Sequence, residues 1–256
     1  MTLHFSPKMP AAAARIATIS EGRRPFSLYA PGWARSPIVK RALPFALFIL
    51  VLAMRGFLPD GAALPGDMDA RWLYGVQAAV ALVPIVIWWR GYAELQTAPR
   101  SLRSLAISIA IGLLVFAVWV APMPQWAHLA GQATTFVPLD ADGQLRWDLI
   151  AMRTFGAVLV VPVMEELFWR SFLMRWIDKR DFLQLTPAAT TGFALVAASA
   201  VFALAHDLWL AGGIAGIAYG LAYRRLGNLW YAIIGHATTN LALAVWVVHG
   251  RAWSYW

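Results

Sequence analysis

The chain has 256 residues, of which 60% are hydrophobic and only 13% charged. Soluble domains carry about a quarter charged residues, so the composition excludes an ordinary soluble globule and points to an all-α, polytopic membrane protein. Cysteine is absent, which excludes disulfides, thiolate metal sites and a cysteine nucleophile.

In chain order, residues 1–36 combine Pro, Ser, Arg and Ala and lack the apolar core of a cleavable signal peptide. They are expected to be a basic cytoplasmic tail of disorder-prone composition. A membrane helix needs about 20 mostly apolar residues, and seven stretches approach this: 41–58, 71–89, 104–121, 150–174, 188–206, 208–223 and 229–248. The fifth and sixth are separated only by His206-Asp207, and the sixth is short. Residues 37–149 therefore hold the first spans and an external loop at 122–147, rich in proline. Residues 150–248 form a second block in which the intramembrane polar groups gather.

The Lys and Arg residues alternate between loops. Fifteen fall in the N-terminal tail and the loops after the second, fourth and sixth spans. Four (Arg55, Arg71, Arg146, Arg251) fall on the other side, and Arg153 and Arg170 lie within the fourth span. The positive-inside rule puts the N-terminus in the cytoplasm. The net charge of +8 is thus a topology signal, and the lipid bilayer, not nucleic acid, is the expected partner.

Ionisable residues inside a span are functional-site candidates. Glu165 and Glu166 sit in the run Val160–Arg170, and Glu166 and Arg170 share a helix face by i,i+4 spacing. Glu165 points about 100° away. Neighbouring carboxylates in a low dielectric resist ionising together. With Arg170 holding Glu166 charged, Glu165 becomes the proton-exchanging member, as a general base requires. His206 closes Phe-Ala-Leu-Ala-His, and His236 and Asn240 lie four apart on one face. Two such donors suit an oxyanion hole, although a helix-helix clasp uses the same residues. Glu165, His206 and His236 could also make a two-histidine, one-carboxylate zinc site, without the His-Glu-x-x-His helix of soluble metalloproteases. Gly212, Gly216 and Gly220 repeat every four residues as a packing face.

Glu-Glu-x-x-x-Arg, Phe-x-x-x-His and His-x-x-x-Asn, in this order on successive apolar segments, resemble the CPBP family of intramembrane proteases, which includes the type II CAAX prenyl endopeptidases and the bacterial Abi proteins. The run Phe168–Trp176 is similar to a bacterial CAAX prenyl protease-related subgroup. The resemblance implies a bacterial inner-membrane endopeptidase acting on a membrane-associated peptide or protein, lipidated in some members. It implies Glu165 as base sharing a water with His206, Glu166 and Arg170 as supports, and His236 and Asn240 as oxyanion donors. The glutamate mechanism requires no cofactor, with zinc as the alternative. Leu210 stands where some members carry a polar residue, which bears on whether the substrate is prenylated. The competing readings are a non-catalytic intramembrane scaffold or immunity-type protein whose polar residues lock helices, and a proton-coupled transporter, which would more often show an internal repeat.

One geometric difficulty is evident. In straight parallel spans, Glu165 lies near mid-membrane, His206 near one end and His236 nearer the other. Tilted, broken or re-entrant helices around a water-filled cavity are needed to unite them.

Overall fold

Long apolar runs without internal acceptors other than their own carbonyls can satisfy the backbone only as helices, and the described residues are almost wholly helical. The computed structural model describes residues 31–57, 63–64, 68–129 and 136–256. Most of the expected N-terminal tail, residues 1–30, lies outside the described residues. The chain divides into Met1–Ser36, whose described part is a single turn at Gly32–Arg35, and Pro37–Trp256. All that follows concerns the second unit.

Its helices are α1 (Pro37–Arg55), α2 (Leu73–Ile87), α3 (Leu102–Val120), α4 (Trp147–Asp178), α5 (Gly192–Leu204), α6 (Trp209–Leu226) and α7 (Leu229–Gly250). A two-stranded ribbon pairs Ala63–Leu64 with Met68–Asp69. Among the described residues, five helices are long and apolar enough to cross a membrane: α1, α2 with the turn before it, α3, α4 and α7. The other two of the seven expected stretches, α5 and α6, are also helical. α5 has 13 residues and rises about 20 Å, short of the ~30 Å hydrocarbon core. α6 has the length but contains four glycines and ends in Arg224 and Arg225, which dilute its hydropathy.

α4 lies at the centre, against α1, α2, α5 and α7. Two π-helical stretches, Gly156–Val160 and Leu167–Met174, bracket the α-helical turn Val161–Glu166. α3 and α7 run in the same direction. The Ser101 N–H donates to the Tyr231 hydroxyl at 3.2 Å, and further along Thr239 Oγ1 donates to the Gly112 carbonyl at 2.8 Å. This close approach requires glycine at 112, because an added Cβ would come within 2.3 Å of the Gly235 carbonyl. α5 and α6 are antiparallel and use the glycine face read from the sequence. Gly212 meets Ala203, Gly216 meets Ser199 and Gly220 meets Leu195.

The loops segregate as the charge pattern requires. At one end Tyr92 donates to the Lys40 carbonyl, Asn228 to Thr97 and Trp230 to Leu95. Glu94, in the loop between α2 and α3, ties α1 to α4 there. Arg41 Nη2 reaches it at 2.7 Å, Arg175 Nη2 at 2.5 Å, and the Ser171 hydroxyl donates to it. Burial pushes the Glu94 carboxyl up, but the Arg41 guanidinium beside it outweighs this and holds it below the usual carboxylate range. Arg41 and Arg175, counted as loop cations, are in fact buried. At the other end Arg71 donates to the carbonyls of Val137 and Leu139, the Leu129 N–H to Asp207, and the Phe136 N–H to Trp256.

Candidate active site

The turn that carries the two glutamates buries Pro162, Met164, Glu165 and Glu166 and lies between two π-helical stretches. Pro162 has no N–H to donate. In the π register of Gly156–Val160, where the Val161 N–H reaches back to Gly156, the carbonyl of Ala157 would look to residue 162 and finds proline. Asn240 on α7 supplies the missing donor, its Nδ2 reaching Ala157 O at 2.7 Å. One of the two N–H bonds of the Asn240 amide is therefore committed to the backbone of α4.

Glu166 is fully buried. Its Oε1 accepts from Arg170 Nη1 at 2.9 Å and pairs with His236 Nδ1, also at 2.9 Å. The Arg170 guanidinium continues to the Gly216 carbonyl at 3.2 Å and lies over the rings of Phe202 and Tyr219. The i,i+4 pair expected from the sequence is thus present, and His236 joins it as a second partner. Glu165 is 8% exposed, and its Oε2 has no hydrogen-bond partner in the protein.

Glu165, His206, His236 and Asn240 line one cavity of about 240 Å³, together with Arg153, Trp119, Tyr219, Tyr255 and Trp256. The shortness of α5 resolves the difficulty of depth. The helix stops at Leu204, and His206 turns inward against Trp119, ring centroids 5.5 Å apart. Phe202 touches both histidine rings, with centroids 4.5 Å from His206 and 6.4 Å from His236.

The hydrogen bonds fix the proton-bearing nitrogens. His206 Nδ1 lies 2.8 Å from the Phe202 carbonyl. A carbonyl can only accept, so Nδ1 carries the hydrogen, and Nε2 of a neutral ring is left as an acceptor. By the same reasoning His236 donates from Nδ1 to the Glu166 carboxylate, so it can donate from Nε2 only as imidazolium. Its ring plane is held by Tyr219, stacked at 4.9 Å and 14°. The Tyr219 hydroxyl donates to Thr239, which donates on to Gly112.

For zinc the fit is poor. Among the described residues no three His, Cys, Asp or Glu side chains stand together as a metal-holding group. Glu165, His206 and His236 share a cavity wall without forming a ligand shell. The sequence reading missed Trp119, Tyr219, Tyr255 and Trp256, which lie outside the three motifs. Apolar context hides aromatic lining residues, and only the i,i+4 polar pairs gave a signal.

No curated protein and no solved structure matches the chain. Residues 147–242, which carry both glutamates, both histidines and Asn240, match the family described as Type II CAAX prenyl endopeptidase Rce1-like, and the likeness extends over that stretch of the chain.

Proposed function

We propose that the protein is an intramembrane endopeptidase that hydrolyses a peptide bond of a membrane-associated protein. The observation that carries this reading is the meeting of Glu165, His206, His236 and Asn240 on one cavity, within the stretch that matches the Rce1-like family.

The chemistry follows from the donors and acceptors available. A water in the cavity donates one hydrogen to the Glu165 carboxylate and the other to His206 Nε2, which faces it as an acceptor because Nδ1 is bound to the Phe202 carbonyl. The oxygen lone pair is then turned toward the scissile carbonyl. Glu165 takes the proton as the C–O bond forms, and returns it to the amine as the C–N bond breaks. The developing oxyanion accepts from His236 Nε2 and from the second N–H of Asn240. Glu166 supplies the countercharge that an imidazolium at His236 needs in a buried site. No step passes through a metal.

The test is cleavage of a membrane-anchored peptide library by purified protein. Glu165→Gln and His206→Ala are expected to lose about 10²-fold or more in turnover while remaining folded. Unchanged turnover in either variant overturns the assignment, and a silent Glu165→Gln is what a scaffold would give.

A further inference from the structure

A second groove, of about 530 Å³, lies between α4 and α7 at the end of the bundle where α4 begins and α7 finishes. No residue lines both this groove and the cavity of Glu165. It exists because the two helices part there. α7 packs on α4 chiefly from Gly156 onward, and its hold on Trp147–Phe155 is slight. Ile150 and Thr154 on one wall face Ala244, Val245 and Val248 on the other, so the interior is almost wholly apolar. Each wall, Trp147 to Thr154 and Ala244 to Arg251, runs about 10 Å along its helix.

The rim has a different chemistry. Trp147, 64% exposed, stands there as tryptophans do at the level of lipid headgroups. His249 and Arg251 complete the rim from α7. Asp148, beside Trp147, is already paired with Arg146 at 2.6 Å, and Arg146 also approaches Asp69 at 3.9 Å. Among the described residues no carboxylate pairs with Arg251 or His249, and neither side chain hydrogen-bonds to the protein. The groove is thus an apolar slot that ends in a guanidinium without a counterion. An acyl chain fits the slot and a phosphate fits the fork, and a phospholipid carries both on one molecule. With no free acid at the rim to receive an ammonium group, a headgroup that lacks one is the better match.

We propose that the groove between α4 and α7 binds an anionic phospholipid of the phosphatidylglycerol type. One acyl chain lies between Ile150 and Val248, and the phosphate accepts hydrogen bonds from Arg251 and His249. Basic pockets between membrane helices hold acidic headgroups in this way. The site goes beyond the peptidase reading and does not rest on it.

The test is titration of the delipidated full-length protein in maltoside micelles with palmitoyl-oleoyl phosphatidylglycerol or phosphatidylcholine, bound lipid being counted by native mass spectrometry. Wild type is expected to hold a phosphatidylglycerol about fivefold more tightly than a phosphatidylcholine, the gain one basic residue gives near an acidic headgroup. Arg251→Asn removes the charge and tolerates the left-handed backbone at that position (φ 50°), and it should abolish the preference. Arg100→Asn removes an equal charge at the opposite end of the bundle and should leave the preference intact. Val248→Trp should fill the slot and weaken the binding of both lipids. Equal affinity for the two lipids in wild type overturns the proposal, as does a wild type that retains neither. An equal loss in Arg251→Asn and Arg100→Asn also overturns it, by making the effect one of net charge. So does glycerol phosphate that competes as well as the whole lipid, or binding undiminished in Val248→Trp, since either removes the acyl slot. A dimer in lipid-free micelles that Val248→Trp dissociates overturns it by assigning the groove to a second copy of the chain.

Discussion

Adjacent glutamates on one turn have opposite environments. Glu166 shares Oε1 between Arg170 and His236 with no exposure, whereas Glu165 lines the cavity with no ion-pair partner among the described residues; Oε2 of each is buried without a hydrogen-bond partner. Removing one partner of a buried ion pair leaves an uncompensated charge, at about 3–5 kcal/mol. Glu166→Ala should therefore lower the midpoint of thermal unfolding in detergent markedly, while Glu165→Gln should leave it nearly unchanged. Differential scanning fluorimetry of the two variants checks this, and equal shifts would show that the division is wrong. The division itself was legible in the sequence, because i,i+4 spacing assigns Arg170 to Glu166 alone. The hold of Glu166 on His236 was not legible, since it joins residues 70 apart in the chain. Nor was the bond from Asn240 to Ala157, which exists because a π-helical register meets a proline.

At the scale of elements, glycine positions decide how closely helices approach, and the positions are not equivalent. A Cβ at Gly112 would strike the Gly235 backbone at 2.3 Å, whereas one at Gly213 would meet Ala203 at an ordinary 3.6 Å. Gly112→Ala is expected to force α3 and α7 apart and cost about 1–3 kcal/mol. Gly213→Ala should be neutral or slightly stabilising through helix propensity. Thermal melts of the two alanine variants give the comparison, and a neutral Gly112→Ala would contradict the packing. The glycine repeat on α6 was readable as a contact face because its period matches a helix. Gly112 stands alone in an apolar run and carries no such period. The truncation of α5 was hidden for a related reason. Apolar residues continue across its end, so hydropathy alone extends the helix to His206, and the break at Ala205 comes from the tertiary turn that pairs α5 with α6.

Over the whole molecule, the bundle has two chemically distinct ends. One gathers Lys40, Arg90, Arg100, Arg103, Lys179, Arg224 and Arg225 in excess of Glu94, Asp178 and Asp181, and the other balances Asp69, Asp140, Asp142, Asp148 and Asp207 against Arg55, Arg71, Arg146 and Arg251. The alternation of basic loops made this partition legible from the sequence, and the contacts across each end agree with it. Trp119, His206, Tyr255 and Trp256 put the cavity toward the less basic end. The absence of cysteine makes the disposition testable with single introduced thiols. Arg251→Cys should react with a membrane-impermeant maleimide from the non-cytoplasmic side of intact cells, and Arg180→Cys only after lysis. The opposite pattern would reverse the orientation. The two π-helical stretches of α4 carry a consequence of their own. Each accommodates one residue more than an α-helical turn of the same span, so the angle between Arg153 and Glu165 is set by how many residues lie between them as much as by which residues they are. Side chains along that stretch can be exchanged while the bearing of the carboxylate survives. A chain one residue shorter between Gly156 and Val160 would keep every functional group and still swing Glu165 by about a quarter turn, so among homologous chains length in this segment should be held more tightly than identity.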